Sequence, residues 1–125
     1  MTTAETIIRA YVDAYNAFDV DKMCSLMHDD ILFENISGDV VNLRTSGLVE
    51  FRQIAEQGKV WFSERLQTIK RIEDIGSHTV VEISYTAIVA VDLPNGLKKG
   101  DDLRLEGVSH FYITDGKISI LRDFS

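Results

Sequence analysis

The sequence predicts an α+β domain in which a long, curved antiparallel or mixed sheet wraps around three helices from the N-terminal half. Three observations carry this expectation. Apolar residues recur at helical spacing early in the chain, alternating segments dominate its second half, and an Asp-Gly pair joins the last two of these. Helices bunched early and strands late place the helices on one side of the sheet. The longest alternating segments exceed the usual strand length, so the sheet must twist and bend, forming a cone with one open mouth.

The elements follow in order. Thr3 is expected to cap a helix beginning near Ala4, with Ile7, Ile8, Tyr11, Val12, Tyr15 and Phe18 at the spacing of one face. Tyr11 and Tyr15 are four apart, so their rings share that face. Asp19 caps a shorter helix carrying Met23, Leu26 and Met27 inward, which His28-Asp29-Asp30 ends. Ile31–Ile36 reads as a strand with Ile31, Phe33 and Asn35 on one side. After the turn at Ser37-Gly38-Asp39 comes a brief strand over Val40–Arg44. Ser46 is the expected cap of a third helix, with Glu50 in its first turn. That helix carries Leu48, Phe51, Ile54 and Ala55 and is expected to break near Gly58, before Val60-Trp61-Phe62. Leu66–Ile75 alternates loosely as a strand with its charges outward, and Thr79 to about Asp92 forms a long one. Pro94-Asn95-Gly96 turns the chain toward a polar segment and the final pair. Asp115-Gly116 suits a type I′ turn, whose central residues both need positive φ. Alternation then puts Leu105, Gly107, Ser109 and Phe111 on one face of the first of these strands, and on the last strand sets Leu121 and Asp123 against Ile118, Ile120, Arg122 and Phe124.

Composition bounds the function. With 125 residues, the chain is expected to form one domain spanning its whole length and to bury roughly two-thirds of its unfolded surface. A net charge of −7 and the lack of a basic stripe argue against nucleic acid or an anionic membrane as partner. The single cysteine, Cys24, excludes an intrachain disulfide and is expected to pack as a small hydrophobe. No secretory signal or membrane-spanning run is present, so a cytoplasmic location is the expectation. No His, Asp or Glu set has ligand spacing, and no metal is expected.

Tyr11-Val12, Asn16-Ala17-Phe18-Asp19-Val20-Asp21 and His28-Asp29-Asp30-Ile31-Leu32-Phe33-Glu34-Asn35 resemble the first helix, linker and first strand of the nuclear-transport-factor-2-like superfamily. The relevant branches are its SnoaL-like polyketide cyclases and ketosteroid isomerases. The ending from Ser109-His110-Phe111 through Asp115-Gly116-Lys117 to Leu121-Arg122-Asp123-Phe124 is similar to the family's last hairpin. The resemblance spans the chain and implies the cone-shaped, cystatin-like fold. It places Tyr11 where ketosteroid isomerases carry their oxyanion-binding tyrosine. Asn35 stands in place of their proton-shuttling aspartate and Ser109 in place of their protonated aspartate. An amide cannot act as that base, so steroid isomerisation by that mechanism is not expected. Asp123 matches the last-strand aspartate proposed as acid/base in SnoaL-like cyclases, which take no cofactor. The cyclases tend to supply a pocket histidine as well, and none is read here, since His110 falls on the face opposite Ser109.

If the apolar faces point inward, the pocket is lined by Tyr11, Tyr15, Phe33, Asn35, Phe51, Trp61, Tyr85, Leu105, Ser109, Leu121 and Asp123. Such an aromatic cavity with few polar groups suits a small apolar molecule. Asp123 is the candidate base, with Tyr11 and Asn35 as hydrogen-bonding partners. Three functions follow: cofactor-independent acid/base chemistry on a small carbonyl compound, a non-catalytic ligand-binding or assembly module, or hydration or epoxide hydrolysis. A structural reading of Asp123 remains open, in which Arg44 or Arg104 reaches it as an ion-pair partner. The opposite sheet face, with Glu82, Ser84, Thr86, Ile88, Glu106, Val108, His110, Tyr112, Ile118, Ile120 and Phe124, is too apolar for solvent, so a homodimer through the sheet is expected. His28 and His78 read as surface residues.

Overall fold

A computed structural model describes residues 2–125. Helices α1 (Thr3–Asn16) and α2 (Val20–Ser25) lead into strands β1 (Met27–Ser37) and β2 (Val40–Ser46). Helix α3 (Leu48–Trp61) follows, then strands β3 (Phe62–Asp74), β4 (Thr79–Val89), β5 (Asp102–Thr114) and β6 (Lys117–Phe124). The strands form one mixed six-stranded sheet in the order β2-β1-β6-β5-β4-β3, in which only β1 and β6 run parallel. This is the expected α+β arrangement.

α3 leaves one edge strand, β2, and enters the opposite edge strand, β3. Its 14 residues span about 20 Å, so the helix straps the two edges together over the inner face. α1 packs on β3, and α3 packs on β1. The core between helices and sheet is sealed by Ile8, Met27, Ile31, Val81, Phe111, Ile118 and Leu121, each 0–1% exposed. Tyr11 meets Phe111 edge-on at 5.8 Å, and Phe33 meets Phe51 at 5.6 Å. Cys24 is buried in the same core and free.

Several local expectations hold. Asp19 accepts a hydrogen bond from the Lys22 N–H at 3.0 Å and starts α2. Asp115 and Gly116 have φ of 53° and 75°, as their turn requires.

Others need correction. Thr2, not Thr3, caps α1, accepting from the Glu5 N–H at 3.1 Å. His28-Asp29-Asp30 does not end a helix but belongs to β1, which starts at Met27. Gly47 occupies the cap position of α3, while Glu50 reaches back to accept the Ser46 N–H at 2.9 Å. Gly58 does not break α3, because packing of the strap outweighs the modest helix penalty of one glycine. β4 stops at Val89, short of Asp92. His78 is half-buried rather than simply exposed: it stacks on Tyr112 at 4.3 Å and bonds His110 at 3.0 Å.

Bulges account for the remaining differences. The register of β5–β6 shifts between Tyr112 and Ile113, leaving Ser119 as the extra residue, its hydroxyl on the Tyr112 carbonyl at 3.1 Å. Ile118 therefore turns into the core at 0% exposed rather than onto the outer face. β3 shifts twice, between Phe62 and Glu64 and between Ile69 and Arg71. Between these slips Arg65 and Gln67 point inward and Leu66 outward, 51% exposed, which reverses the phase expected there.

Glu34 on the outer face is buried by two arginines. Arg44 donates to its carboxylate at 2.8 Å and Arg122 at 2.7 Å, and these bonds hold its pKa below the usual carboxylate range. Arg44 is thus committed to Glu34 and is not the partner of Asp123.

The β5–β6 ladder leaves no room at Gly107, where an added Cβ would lie 2.8 Å from the Phe124 carbonyl oxygen. Gly107→Ala should lower unfolding free energy by about 1–3 kcal/mol, read as a lower denaturant midpoint. An unchanged midpoint would show that the ladder yields freely.

Candidate functional site

Between α1, α3 and the inner sheet face lies a chamber of about 180 Å³. Its apolar wall is Met23, Phe33, Leu43, Phe51, Ile54, Ala55, Trp61 and Phe62, and its polar groups come from Tyr11, Tyr15, Asn35, Arg65, Gln67 and Asp123. A wider vestibule of about 400 Å³ adjoins it, with Ser37, Asn42, Tyr85, Leu105 and Ser109 in its wall. Tyr15, Asn35, Gln67 and Asp123 line both spaces and so stand where they meet. A separate depression near Glu64, Thr86, Asp102 and Arg104 lacks this convergence of aromatic and polar groups.

The expected site residues divide accordingly. Tyr11, Phe33, Phe51 and Trp61 line the chamber, while Tyr85, Leu105 and Ser109 line the vestibule. Leu105 is 44% exposed, so it is a rim residue. Leu121 lines neither space: at 1% exposed it is sealed in the core beneath them. Arg65, Gln67 and Gly58 also line the chamber. Arg65 lies ahead of the expected strand, the phase reversal of β3 hides Gln67, and the expected helix break hides Gly58.

Register brings the polar groups together. Asp123 of β6 sits opposite Ser109 on β5 and beside Asn35 on β1. The Ser109 hydroxyl donates to Asp123 Oδ1 at 2.6 Å. Among the described residues Asp123 makes no ion pair, so neither Arg44 nor Arg104 holds it. Asp123 is half-buried where chamber and vestibule meet, and desolvation there pushes its pKa up from 3.8 to about 6, with the Ser109 hydrogen bond partly opposing that rise. The Tyr11 hydroxyl and the Asn35 amide have no hydrogen-bond partner among the described residues and are left free for a guest.

The phenols are held protonated. Tyr11 is raised far above its usual range, first by burial and then by the Asp123 charge, with Arg65 pulling the other way. Tyr15 is raised by burial and by Tyr85, to whose hydroxyl it donates at 3.0 Å. The site therefore combines one carboxyl that titrates near neutrality with an O–H donor that does not titrate there. Such a pair can move a proton to and from carbon while a developing oxyanion is hydrogen-bonded. Among the described residues no group of three or more His, Cys, Asp or Glu side chains could hold a metal ion. No helix of the described residues is long and apolar enough to cross a membrane.

The fold is of the nuclear-transport-factor-2-like, cystatin-like class, and solved structures share it across nearly the whole chain. An epoxide hydrolase of the LEH-like type from M. tuberculosis is 20% identical, covering 98% of this chain and 81% of that one, with a TM-score of 0.78. A Pseudomonas putida protein assigned as a polyketide cyclase is 22% identical, with coverage of 100% and 92% and a TM-score of 0.79. An uncharacterised cystatin-fold protein from Novosphingobium aromaticivorans is 20% identical, with coverage of 100% and 99% and a TM-score of 0.76. The SnoaL-like domain matches residues 8–120, and the chain belongs to that family. No curated protein matches it.

The raised pKa of Asp123 has a stability consequence. Between the unfolded value near 4 and the folded value of about 6, the folded chain holds the extra proton, so stability falls as pH rises through that window. Asp123→Asn should therefore stabilise the protein by at most about 3 kcal/mol above pH 6, with the gain vanishing below about pH 4. Thermal melts across that range test this. A gain independent of pH would mean that Asp123 is not shifted.

Proposed function

We propose that this SnoaL-like chain is a cofactor-independent acid/base catalyst of the isomerase or cyclase type, acting on a small, largely apolar carbonyl compound. The observation that carries the reading is Asp123, a carboxyl without an ion-pair partner that titrates near neutrality in a chamber shared with a free Tyr11 hydroxyl. The substrate's apolar body fits against Phe33, Phe51 and Trp61, with its carbonyl oxygen toward Tyr11. Asp123, ionised, takes a proton from the carbon beside that carbonyl. The C–H electron pair moves onto oxygen, and the Tyr11 O–H stabilises the enolate without giving up its own proton. Return of the proton at another carbon completes an isomerisation, whereas attack of the enolate carbon on an internal carbonyl closes a ring, Asp123 then giving its proton to the alkoxide that forms. Asn35 orients the substrate by hydrogen bonding.

The structural neighbours include an epoxide hydrolase and a protein assigned as a polyketide cyclase, and both chemistries suit a pocket of this kind. Epoxide hydrolysis is less well supported, because Asp123 is the only carboxylate side chain in the chamber wall among the described residues. The non-catalytic ligand-binding module is the competing reading.

Hydrogen–deuterium exchange of 2-tetralone, followed by proton NMR in D₂O, separates them. The wild type should accelerate exchange, with a rate that rises with pH and levels off above about pH 6. Asp123→Asn should lose about 10²–10⁴-fold of that rate. Equal exchange rates for wild type and Asp123→Asn would favour the binding module.

We propose also that two copies pair through the outer sheet face. Half-buried Val80, Val108, Tyr112, Ile120 and Phe124 lie there, with His110 packed on Phe124 at 4.8 Å. An antiparallel sheet face open to water would carry mainly polar residues. Sedimentation equilibrium should give a dimer for wild type and a monomer for Ile120→Asp. A monomeric wild type would remove this proposal.

A further inference from the structure

Arg65 is the chamber's unexplained group. It is 7% exposed, yet it has no ion-pair partner among the described residues. Its Nε donates to the Tyr15 carbonyl at 3.0 Å, which satisfies the C-terminal end of α1. Its guanidinium is stacked over the Tyr15 ring at 3.7 Å and lies 4.3 Å from that of Phe18. Neither Nη atom has a hydrogen-bond partner among the described residues, and Nη2 is fully buried. Buried cations are ordinarily paired, since desolvation without compensation is expensive.

Two residues touching the guanidinium contradict their local backbone preferences. Phe18 has φ of 58°, a left-handed conformation that costs a side-chain-bearing residue about 1–2 kcal/mol. Gly58 lies inside α3, where glycine costs about 0.5–1 kcal/mol relative to alanine. An added Cβ at Gly58 would stand 3.1 Å from Arg65 Nη1, and Gly58 itself lines the chamber. The glycine keeps space open beside Nη1 in the chamber wall. Asp123 does not supply the missing charge: among the described residues it forms no ion pair with Arg65.

We propose that Arg65 is the anchor for a carboxylate, so that the pocket takes a small apolar acid with its carboxylate on the Nη side of Arg65. This rests on the chamber being the substrate site and narrows the substrate class to carbonyl compounds that carry a carboxylate, such as keto acids. Within the cavity the anchor and the proton-transferring Asp123 are separate groups, with Tyr11 influenced by both. The chain's net charge of −7 gives little non-specific attraction for anions, so carboxylate binding reports on this one site.

Calorimetric titration with benzoate and its neutral isostere benzamide tests the assignment. Wild type should bind benzoate about tenfold or more tighter than benzamide. Arg65→Met should bring benzoate to the benzamide level and leave benzamide unchanged, while Arg65→Lys should recover part of the difference. Gly58→Ala keeps Arg65 but crowds Nη1, and should weaken benzoate selectively; it decides the matter if Arg65→Met does not fold. Equal affinities for the two probes, no saturable benzoate binding at millimolar concentration, or selectivity unchanged in the folded variants would overturn the proposal. Benzoate selectivity in a wild type that does not accelerate 2-tetralone exchange would remove the catalytic reading and leave the anchor standing, whereas exchange without benzoate selectivity would do the reverse.

Discussion

The chamber exists because the sheet does not keep register. Of its five ladders, only β4–β5 runs without a slip. Each bulge adds bend and twist, and a six-stranded sheet bent this way can have its opposite edges bridged by one 14-residue helix. A flat sheet would pack its inner face tightly on the helices and leave no cavity. The same slips select which side chains enter it. Ser119 takes up one residue and keeps Asp123 facing inward opposite Ser109, and the paired slips in β3 turn Arg65 and Gln67 toward the chamber.

Once inside, those polar groups are governed by the apolar wall. Burial is the largest cause of the upward shift at Asp123 and at each of the three tyrosines, Tyr11, Tyr15 and Tyr85. One environment thus has two consequences. The carboxyl moves toward neutrality, where it can exchange protons, while the phenols move away from it and remain donors. Ser109 is the adjusting element, since its hydrogen bond favours the ionised form and limits how far burial can carry Asp123.

Much of this was legible in the sequence because it depends on short-range chemistry. Asp19 starts a helix and Asp115-Gly116 turns a hairpin for reasons contained in a few residues. The four-residue spacing of Tyr11 and Tyr15 sets both rings toward the sheet, whereas the pairing of Ser109 with Asp123 depends on the Ser119 bulge and resemblance alone points to it. Resemblance to known hairpins and helices carried the fold. Bulges were not legible, because whether a strand slips is decided by the bend of the whole sheet. Leu66 therefore points outward although it opens the alternating segment, and Arg65 lies ahead of the strand that the sequence delimits. Leu121 was placed in the cavity wall for a related reason: alternation assigns a face but not a depth. Gly58 was read from helix propensity alone, and its value lies in a contact with Arg65 that only the tertiary structure shows.

The two faces of the sheet treat buried charge in opposite ways, and that contrast argues for function on the inner one. On the outer face Glu34 is clamped by Arg44 and Arg122, each bond within ordinary charge-assisted length. That is how this chain compensates an ion whose task is structural. On the inner face Asp123 and Arg65 carry opposite charges in the wall of one cavity and do not pair with each other. Pairing them would relieve both desolvation penalties; keeping them apart leaves a proton acceptor and a cation each available to a third party. A fold selected for stability alone would not hold both unpaired, because an apolar pair of similar volume would serve it as well. The separation makes sense when a guest molecule brings the missing charge to Arg65 and the acidic C–H to Asp123.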